Sequence, residues 1–426
     1  EDVLDTWFSA WLWPISVFNG INEPENAEIN YYYPTQDLVT APDIIFFWVA
    51  RMIVSGYEFR GQLPFENVYF TGIVRDKLGR KMSKSLGNSP DPIDLMNEYG
   101  ADATRMGMLL TAPAGNDLPF DVELCVQGRN FANKIWNAFR LVKGWEITTT
   151  PASDSDKISA SWFEARLNQA LVDIEENFKH YRLSDALMTT YKLVWDDFCS
   201  WFLEMIKPAY QKPIDSVTFA KAIEMLENNL KLLHPFMPFL TEEIWQLIAE
   251  RSPEEALIVS TWPEVKPFDA KIIADFELTI DEISGIRTIR KEKNIAFSEK
   301  IKIDYIKEFD NIFQPVIFKL TNSGSFDSQT DSASFPNGPT ASFITGATSN
   351  EVFVYSSIEI DKEAEIAKLT EELNYTKGFL KSVEAKLSNE KFVNGAPEKV
   401  LNLEKQKQAD ALAKIATIEQ SLAGLK

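Results

Sequence analysis

The sequence predicts a multidomain chain: an α/β region, an all-α helical bundle, a small α+β module and a C-terminal antiparallel coiled-coil hairpin. Three observations predict it. At 426 residues the chain exceeds what one core organises, so roughly two to four domains are expected. From residue 122 to about residue 262, apolar residues recur at helical spacing almost without interruption. Near the end, Ile366, Leu369, Leu373, Thr376, Leu380, Val383 and Leu387 alternate in steps of three and four, a heptad seam with one polar position.

The α/β region takes residues 1–121. Asp43–Phe59 (DIIFFWVARMIVSGYEF) opens after a proline and is apolar all round, as a buried helix would be. Val68–Val74 (VYFTGIV) is β-branched and aromatic, which predicts a short buried strand. After Pro92 helical spacing returns, with Gly100 as the stop between two helices.

Residues 122–267 hold four amphipathic segments: Val122–Lys143, Ala160–Tyr181, Ser184–Lys207 and Ser216–Arg251. Thr148–Lys157 is read as the loop between the first two, and Pro235 and Pro238 must bend or break the fourth. A bundle is the natural arrangement.

Residues 268–358 change character. A helix over Ile272–Lys291 precedes strands in KIKIDYI and EVFVYSSIEI, with the loop-like SGSFDSQTDSASFPNGPTAS between them. In the last part, 359–426, NEKFVNGAP interrupts the seam and Pro397 is placed to start a second helix. Ile415, Ile418, Leu422 and Leu425 resume it, so the two helices must run antiparallel.

Composition excludes several classes of function. No apolar run reaches membrane-spanning length, and no secretory leader is visible. Cys125 and Cys199 form no CxxC pair, and His180 and His234 are the two histidines, so no cysteine-rich metal site and no histidine triad is expected. A net charge of −20 argues against binding polyanions through bulk charge, and leaves that work to local basic patches.

One such patch is RDKLGRKMSKSLGNSPDP (Arg75–Pro92), with Arg75, Lys77, Arg80, Lys81 and Lys84 close together ahead of a Ser/Gly/Pro-rich run. Neither GxxxxGK[ST] nor GxGxxG occurs there. Instead, Lys81 and Lys84 are interleaved with Ser83 and Ser85 on a flexible loop. Mobile ammonium groups and hydroxyl donors of this kind suit charge building up on a triphosphate. On charge alone, a solvated surface turn is the competing reading.

The string KMSKS followed by LGN resembles the signature loop of the class I aminoacyl-tRNA synthetases, and the flanks agree. DVLDTWFSAWLWP, YPTQDLVTAPDIIFFWVARMI and RNFANKIWNAFR look like the valyl branch of that family. HPFMPFLTEEIW is similar to the anticodon-binding bundle of the Val, Ile and Leu enzymes, and IRTIRKEKNI and KFVNGAPEKV are again valyl-like. The isoleucyl branch is the main rival, although it usually reads DVWFDSG where this chain has DTWFS. A noncatalytic tRNA-binding module is a third reading.

The resemblance implies that residues 1–121 are the second part of a Rossmann-type catalytic domain. Lys81, Met82, Ser83, Lys84 and Ser85 would form the ATP loop, with Lys81 and Lys84 catalytic and Lys84 the phosphate contact. Thr71 and Gly72 match nucleotide-contacting positions, although many relatives carry His-Gly there. Trp7, Asp43 and Ile44 match the valine pocket. Arg129, Lys134 and Arg140 on the bundle, and Arg287 and Arg290 in a patch with Lys291 and Lys293, are weaker candidates for tRNA contacts. The implied partners are valine, ATP with Mg2+, and tRNA(Val), for a cytoplasmic, monomeric enzyme with no resident metal. The family's HIGH motif and editing insertion are not in the sequence, so the chain reads as a piece of a longer protein, inactive by itself.

Overall fold

The computed structural model describes residues 3–425 apart from 4, 112–116, 307–310, 330, 332–333, 336–337, 347–349, 357–361 and 390–397. The chain divides into two compact units, Glu1–Ile272 and Ile273–Lys426.

The first unit opens with helix α1 (Thr6–Trp11), whose first turn is capped by the Asp5 carboxylate accepting from Phe8 N at 2.8 Å. Short helices α2 (Trp13–Ser16) and α3 (Ala27–Tyr32) follow, then strand β1 (Thr35–Thr40). After β1 comes a tight turn over Pro42–Ile44, a π-helical turn over Ile45–Val49 and helix α4 (Ala50–Arg60), which stops at left-handed Gly61. Strand β2 (Phe65–Phe70) returns parallel to β1. Leu38, Val49, Met52 and Phe65 form the core beneath, with Trp11 and Trp48 packed on it.

Residues 43–59 are therefore helical as expected, but not buried all round. Phe46, Phe47, Val54, Tyr57 and Phe59 are exposed. An all-round apolar pattern says that no face is polar; it does not say that every face is covered. Here α1 and the β1–β2 pair cover one side. The strand expected over Val68–Val74 is also divided. β2 ends at Phe70 because its partner ends at Thr40, and the last bond between them runs from Thr71 N to Thr40 O at 2.8 Å. The chain then starts β3 (Val74–Arg75), which pairs in parallel with β4 (Leu118–Pro119). Helices α5 (Pro92–Tyr99) and α6 (Ala101–Leu109) lie between β3 and β4, and Gly100 joins them at φ 96°, where a side chain would be strained.

The rest of this unit is helical: α7 (Glu123–Lys143), α8 (Asp154–Lys179), α9 (Leu183–Lys192), a π-helical stretch Leu193–Phe202, α10 (Leu203–Ile206), α11 (Ser216–Leu233) and α12 (Pro238–Ile248). The short parallel pair β5 (Ile147–Thr148) and β6 (Ile214–Asp215) closes one end. Phe131, Trp162, Phe163, Phe198 and Phe202 are fully buried between the helices. Each such side chain contributes about 1.5–3 kcal/mol of transfer energy. Pro235 and Pro238 separate α11 from α12, as read from the sequence. The expected loop Thr148–Lys157 is shorter than read, because Ser153 accepts from Asp156 N at 3.1 Å and starts α8 at Asp154.

In the second unit α13 (Ala270–Glu292) precedes β7 (Ile301–Tyr305), α14 (Gln314–Thr321), β8 (Ser323–Ser325), β9 (Ala341–Ile344) and β10 (Glu351–Tyr355). The sheet runs β8-β7-β10-β9, with β7–β8 parallel and the other pairs antiparallel. Ile301 and Ile303, and Val352 and Val354, alternate into the core, where Phe276, Ile283, Phe313 and Ile317 are also buried. Helix α14 was not anticipated, and both ends of the segment read as loop, Ser323–Ser325 and from Ala341, are strands. Residues 357–360 of the second expected strand lie outside the described residues.

Helices α15 (Lys362–Leu387) and α16 (Glu398–Leu425) pack along each other. Their ion pairs, Lys377 Nζ–Glu419 Oε1 at 2.6 Å and Lys386 Nζ–Glu404 Oε2 at 3.6 Å, run in opposite chain directions. Thr376 and Val383 of the seam are buried, and among the described residues of α16 Glu404, Ala411, Ile415 and Ile418 are buried. Pro397 and the rest of 390–397 lie outside the described residues, as does the side chain of Leu425. No helix among the described residues is long and apolar enough to cross a membrane.

Candidate functional site

The parallel pairing of β1 and β2 places both carboxyl ends on one edge of the sheet. Asp43 and Ile44 follow β1 there, and Thr71 and Gly72 follow β2. In open parallel sheets that edge is where ligands bind. Trp7 lies half-buried on α1 and stacks on Phe47, centroids 5.7 Å apart, so α1 is docked beside the turn that carries Asp43. Trp48 strengthens that docking by donating to Ala10 O at 3.1 Å.

The basic loop leaves β3 and folds back on it. Arg75 and Lys81 pair across a bridge, Met82 N donates to Val74 O at 3.2 Å, and Gly79 turns at φ 75°. Met82 then packs against the core of Leu95, Leu118, Phe120 and Cys125, so the apolar residue of the motif anchors it. Beyond it, Ser83 Oγ caps a single turn over Lys84–Leu86 by accepting from Leu86 N at 3.3 Å, and Gly87 closes that turn at φ 64°.

Its five cations divide sharply. Arg75 pairs with Asp117, Lys77 with Asp121 at 2.9 Å, and Arg80 with Asp76 at 2.7 Å. Lys81 Nζ reaches Asp43 Oδ2 at 3.0 Å, which brings the loop to the edge of the β1–β2 sheet. Lys84 is exposed and has no carboxylate partner among the described residues. Hydrogen bonds from Asn88 and Arg80 hold the Asp76 carboxyl well below the usual carboxylate range, so it stays ionised. Carboxylates in and around the loop thus pair four of its five cations, and among the described residues Lys84 is the one without such a partner.

The residues proposed for valine, Trp7, Asp43 and Ile44, and those proposed for ATP, Thr71, Gly72 and Lys81–Ser85, lie around this one edge through the contacts just described. The sequence reading missed Asp76, Asn88, Asp117 and Asp121, which hold the loop. It also missed Phe47, the ring against Trp7.

The basic residues of the helical region are dispersed. On α7, Arg129 and Arg140 point within about 20° of each other, while Lys134 is turned about 140° away. Arg129 lies over the Tyr99 ring at 5.5 Å, and Lys134 over the Trp195 ring at 4.7 Å while donating to Ser200 Oγ at 3.2 Å. In the second unit Arg287 is exposed. Arg290 is a correction: it is 5% exposed, and its guanidinium donates to the carbonyls of Thr321, Ala296, Glu299 and Asn322. Those carbonyls take four of its N–H donors and the side chain is buried, so it serves as an internal clamp and is not available to a phosphate.

Three family models match the chain in order. The model for class I tRNA synthetases (I, L, M and V) matches residues 1–121, that for the anticodon-binding domain of tRNA ligase 160–305, and that for the valyl tRNA synthetase tRNA binding arm 361–426. The chain is 57% identical over 428 residues to the valine–tRNA ligase of Christiangramia forsetii. It is 54% identical over 426 residues to that of Parabacteroides distasonis. Both alignments cover 100% of this chain and 48% of the relative, so the chain spans about half the length of the curated relatives it matches. The chain belongs to the class I aminoacyl-tRNA synthetases, in the valyl-tRNA synthetase family.

Proposed function

We propose that this chain supplies a valine–tRNA ligase with its ATP loop, one wall of its valine site, its anticodon-binding bundle and a tRNA-contacting arm. The observation that carries this reading is the gathering of Asp43, Ile44, Thr71, Gly72 and the Lys81–Ser85 loop on one edge of a parallel sheet, with Lys84 lacking a carboxylate partner among the described residues. Valine, ATP as its Mg2+ complex and tRNA(Val) are the substrates. The valine carboxylate attacks the α-phosphorus of ATP in line, pyrophosphate leaves, and a hydroxyl of the tRNA 3′-terminal ribose then takes the valyl group from the adenylate.

Positioning and charge stabilisation do most of the work in such a transfer. Trp7 and Ile44 offer apolar walls to an isopropyl group, and Asp43 an anion for the valine ammonium. When Asp43 takes that ammonium, Lys81 is released from its ion pair. Lys84 is the cation that meets the phosphates. Thr71 and Gly72 present backbone at the nucleotide end of the cleft.

Residues 1–121 are the catalytic part, 122–267 the anticodon bundle, 268–358 a junction module and 359–426 a coiled-coil arm. The whole acts as a monomer in the cytoplasm. The match of 361–426 to the valyl arm favours this branch over the isoleucyl one. Arg129, Arg140 and Arg287 are the proposed phosphate contacts for tRNA, with Lys134 on another face of α7.

Binding of this chain to tRNA(Val), tRNA(Ile) and tRNA(Ile) carrying a valine anticodon, each at two salt concentrations, tests the reading. Affinity that follows the anticodon is expected. Equal binding of all three with a steep salt dependence would mean that backbone charge alone is sensed, and would overturn it.

A further inference from the structure

We propose that Asp76 and Asn88 are positioning residues that brace the basic loop, so that Lys84 is presented from a preformed turn. This rests on the reading of Lys81–Ser85 as the ATP loop. The side chain of Asp76 is 12% exposed and sits inside the loop that it organises. Its carboxylate accepts from Leu78 N at 3.0 Å, Arg80 N at 2.9 Å, Arg80 Nε at 2.8 Å and Asn88 Nδ2 at 2.9 Å.

Asn88 carries the connection onward. Its Oδ1 accepts from Ser83 N at 2.9 Å, and its Nδ2 also reaches Lys81 O at 3.4 Å. A relay Asp76–Asn88–Ser83 therefore spans the base of the loop and fixes the backbone on both sides of Met82. The residue type matters: one end of the side chain must donate to a carboxylate while the other accepts from an amide, and asparagine does both in a short reach. Aspartate at 88 would keep the acceptor but set two carboxylates against each other. Neither residue touches the Lys84 ammonium, so the action is indirect.

A loop so rich in Gly and Ser would otherwise have to be ordered at each turnover. With Met82 in the core and Ser83 tied by Asn88, the freedom left is confined to the short turn Ser83–Gly87. That span can follow the phosphates while its two ends stay in place.

The test uses a chain of the relatives' full length carrying these residues, with Asn88→Ala, Asn88→Asp and, for comparison, Lys84→Ala. Valine-dependent ATP–pyrophosphate exchange is measured beside amide hydrogen exchange over residues 75–90. Both Asn88 variants are expected to lower kcat about 10- to 100-fold, the scale of a misplaced reacting group, with KM for valine within about twofold. Protection at Ser83 is expected to fall in Asn88→Ala and at Arg80 in Asn88→Asp, while α5 and α6 keep theirs. An unchanged Ser83 amide in Asn88→Ala, or a kcat within about twofold of the parent in both variants, overturns the brace. If Asn88→Ala loses protection throughout the chain, the isosteric Asn88→Asp decides. Lys84→Ala separates the two ideas: a loss there with none at Asn88 sinks the brace alone, and no loss at Lys84 sinks the ATP-loop reading.

Discussion

Asp102 accepts the amide hydrogen of Leu240 on its Oδ2 at 2.6 Å, joining α6 to the start of α12. Its other oxygen accepts from Phe239 N at 3.3 Å. One turn along α6, Arg105 donates to Pro235 O at 3.0 Å and Phe236 O at 3.1 Å. The elbow between α11 and α12 is thus gripped through both its amides and its carbonyls by one helix. Pro238 opens α12 without offering an amide, and Asp102 serves the next two.

Asp102→Ala removes a cap and leaves those amides without their acceptor. A loss of about 1–2 kcal/mol is expected, read as a lowered Tm of the first unit. Asp102→Asn retains an acceptor and is expected to lose less. An unchanged Tm in Asp102→Ala would show that the grip is idle.

Glu282 gives a pH dependence in the second unit. It is 3% exposed and accepts from the Tyr305 hydroxyl, and burial pushes its carboxyl up to about 6. The folded state therefore binds a proton that the unfolded chain releases near its ordinary carboxylate value. Its contribution is fully present below about pH 4.5 and is lost as pH rises through about 6, to the extent of about 2 kcal/mol. Glu282→Gln is expected to flatten that slope and to raise Tm at pH 8. Identical pH–Tm profiles for the two proteins would count against the assignment.

Arg290 and Arg287 should separate cleanly by experiment. Arg290→Lys cannot serve four carbonyls from one ammonium and is expected to cost about 1–3 kcal/mol of stability, with the salt dependence of tRNA binding unaltered. Arg287→Ala should do the reverse, reducing the salt slope by about one and lowering Tm less than Arg290→Lys does, since its bond to Leu320 O is long at 3.5 Å. Chemical denaturation and tRNA titration on the same two variants give the answer.

Lys84→Ala, in a chain of the relatives' full length, is expected to slow adenylate formation by about 10²–10³-fold and to leave the valine KM within about threefold. Equal losses in rate and in valine affinity would remove the lysine from the transition state.

Where local pattern determines burial, the sequence was readable. Thr376 and Val383 of α15 are buried because two packed helices shield whatever recurs in steps of three and four. The breaks at Gly100 and Pro238 were likewise local chemistry. Glu404 was invisible, since a carboxylate at an inward position carries no apolar signal, yet it is buried beside Lys386 and Lys407. In IRTIRKEKNI nothing distinguishes Arg287 from Arg290; the difference is that Arg290 is buried against four carbonyls, two of them at Thr321 and Asn322, while exposed Arg287 reaches Leu320 O at 3.5 Å. KMSKS marked the loop, but the bonds from Asp76 and Asn88 have no period and left no trace in the string.

The pairing of Arg75, Lys77 and Arg80 with carboxylates also bears on which phosphates the loop can attract. A run of five bare cations would attract any stretch of RNA backbone, because each phosphate it neutralised would set condensed counterions free. With Asp117, Asp121 and Asp76 holding three of them and Asp43 a fourth, a polynucleotide lying across the loop would release few ions and gain little. A mononucleotide seated at the sheet edge needs one well-aimed ammonium, and among the described residues Lys84 is the one of the five without a carboxylate partner. On the function proposed above, the apparent excess of charge in the sequence becomes, once folded, a filter that favours a small compact phosphate over a long one.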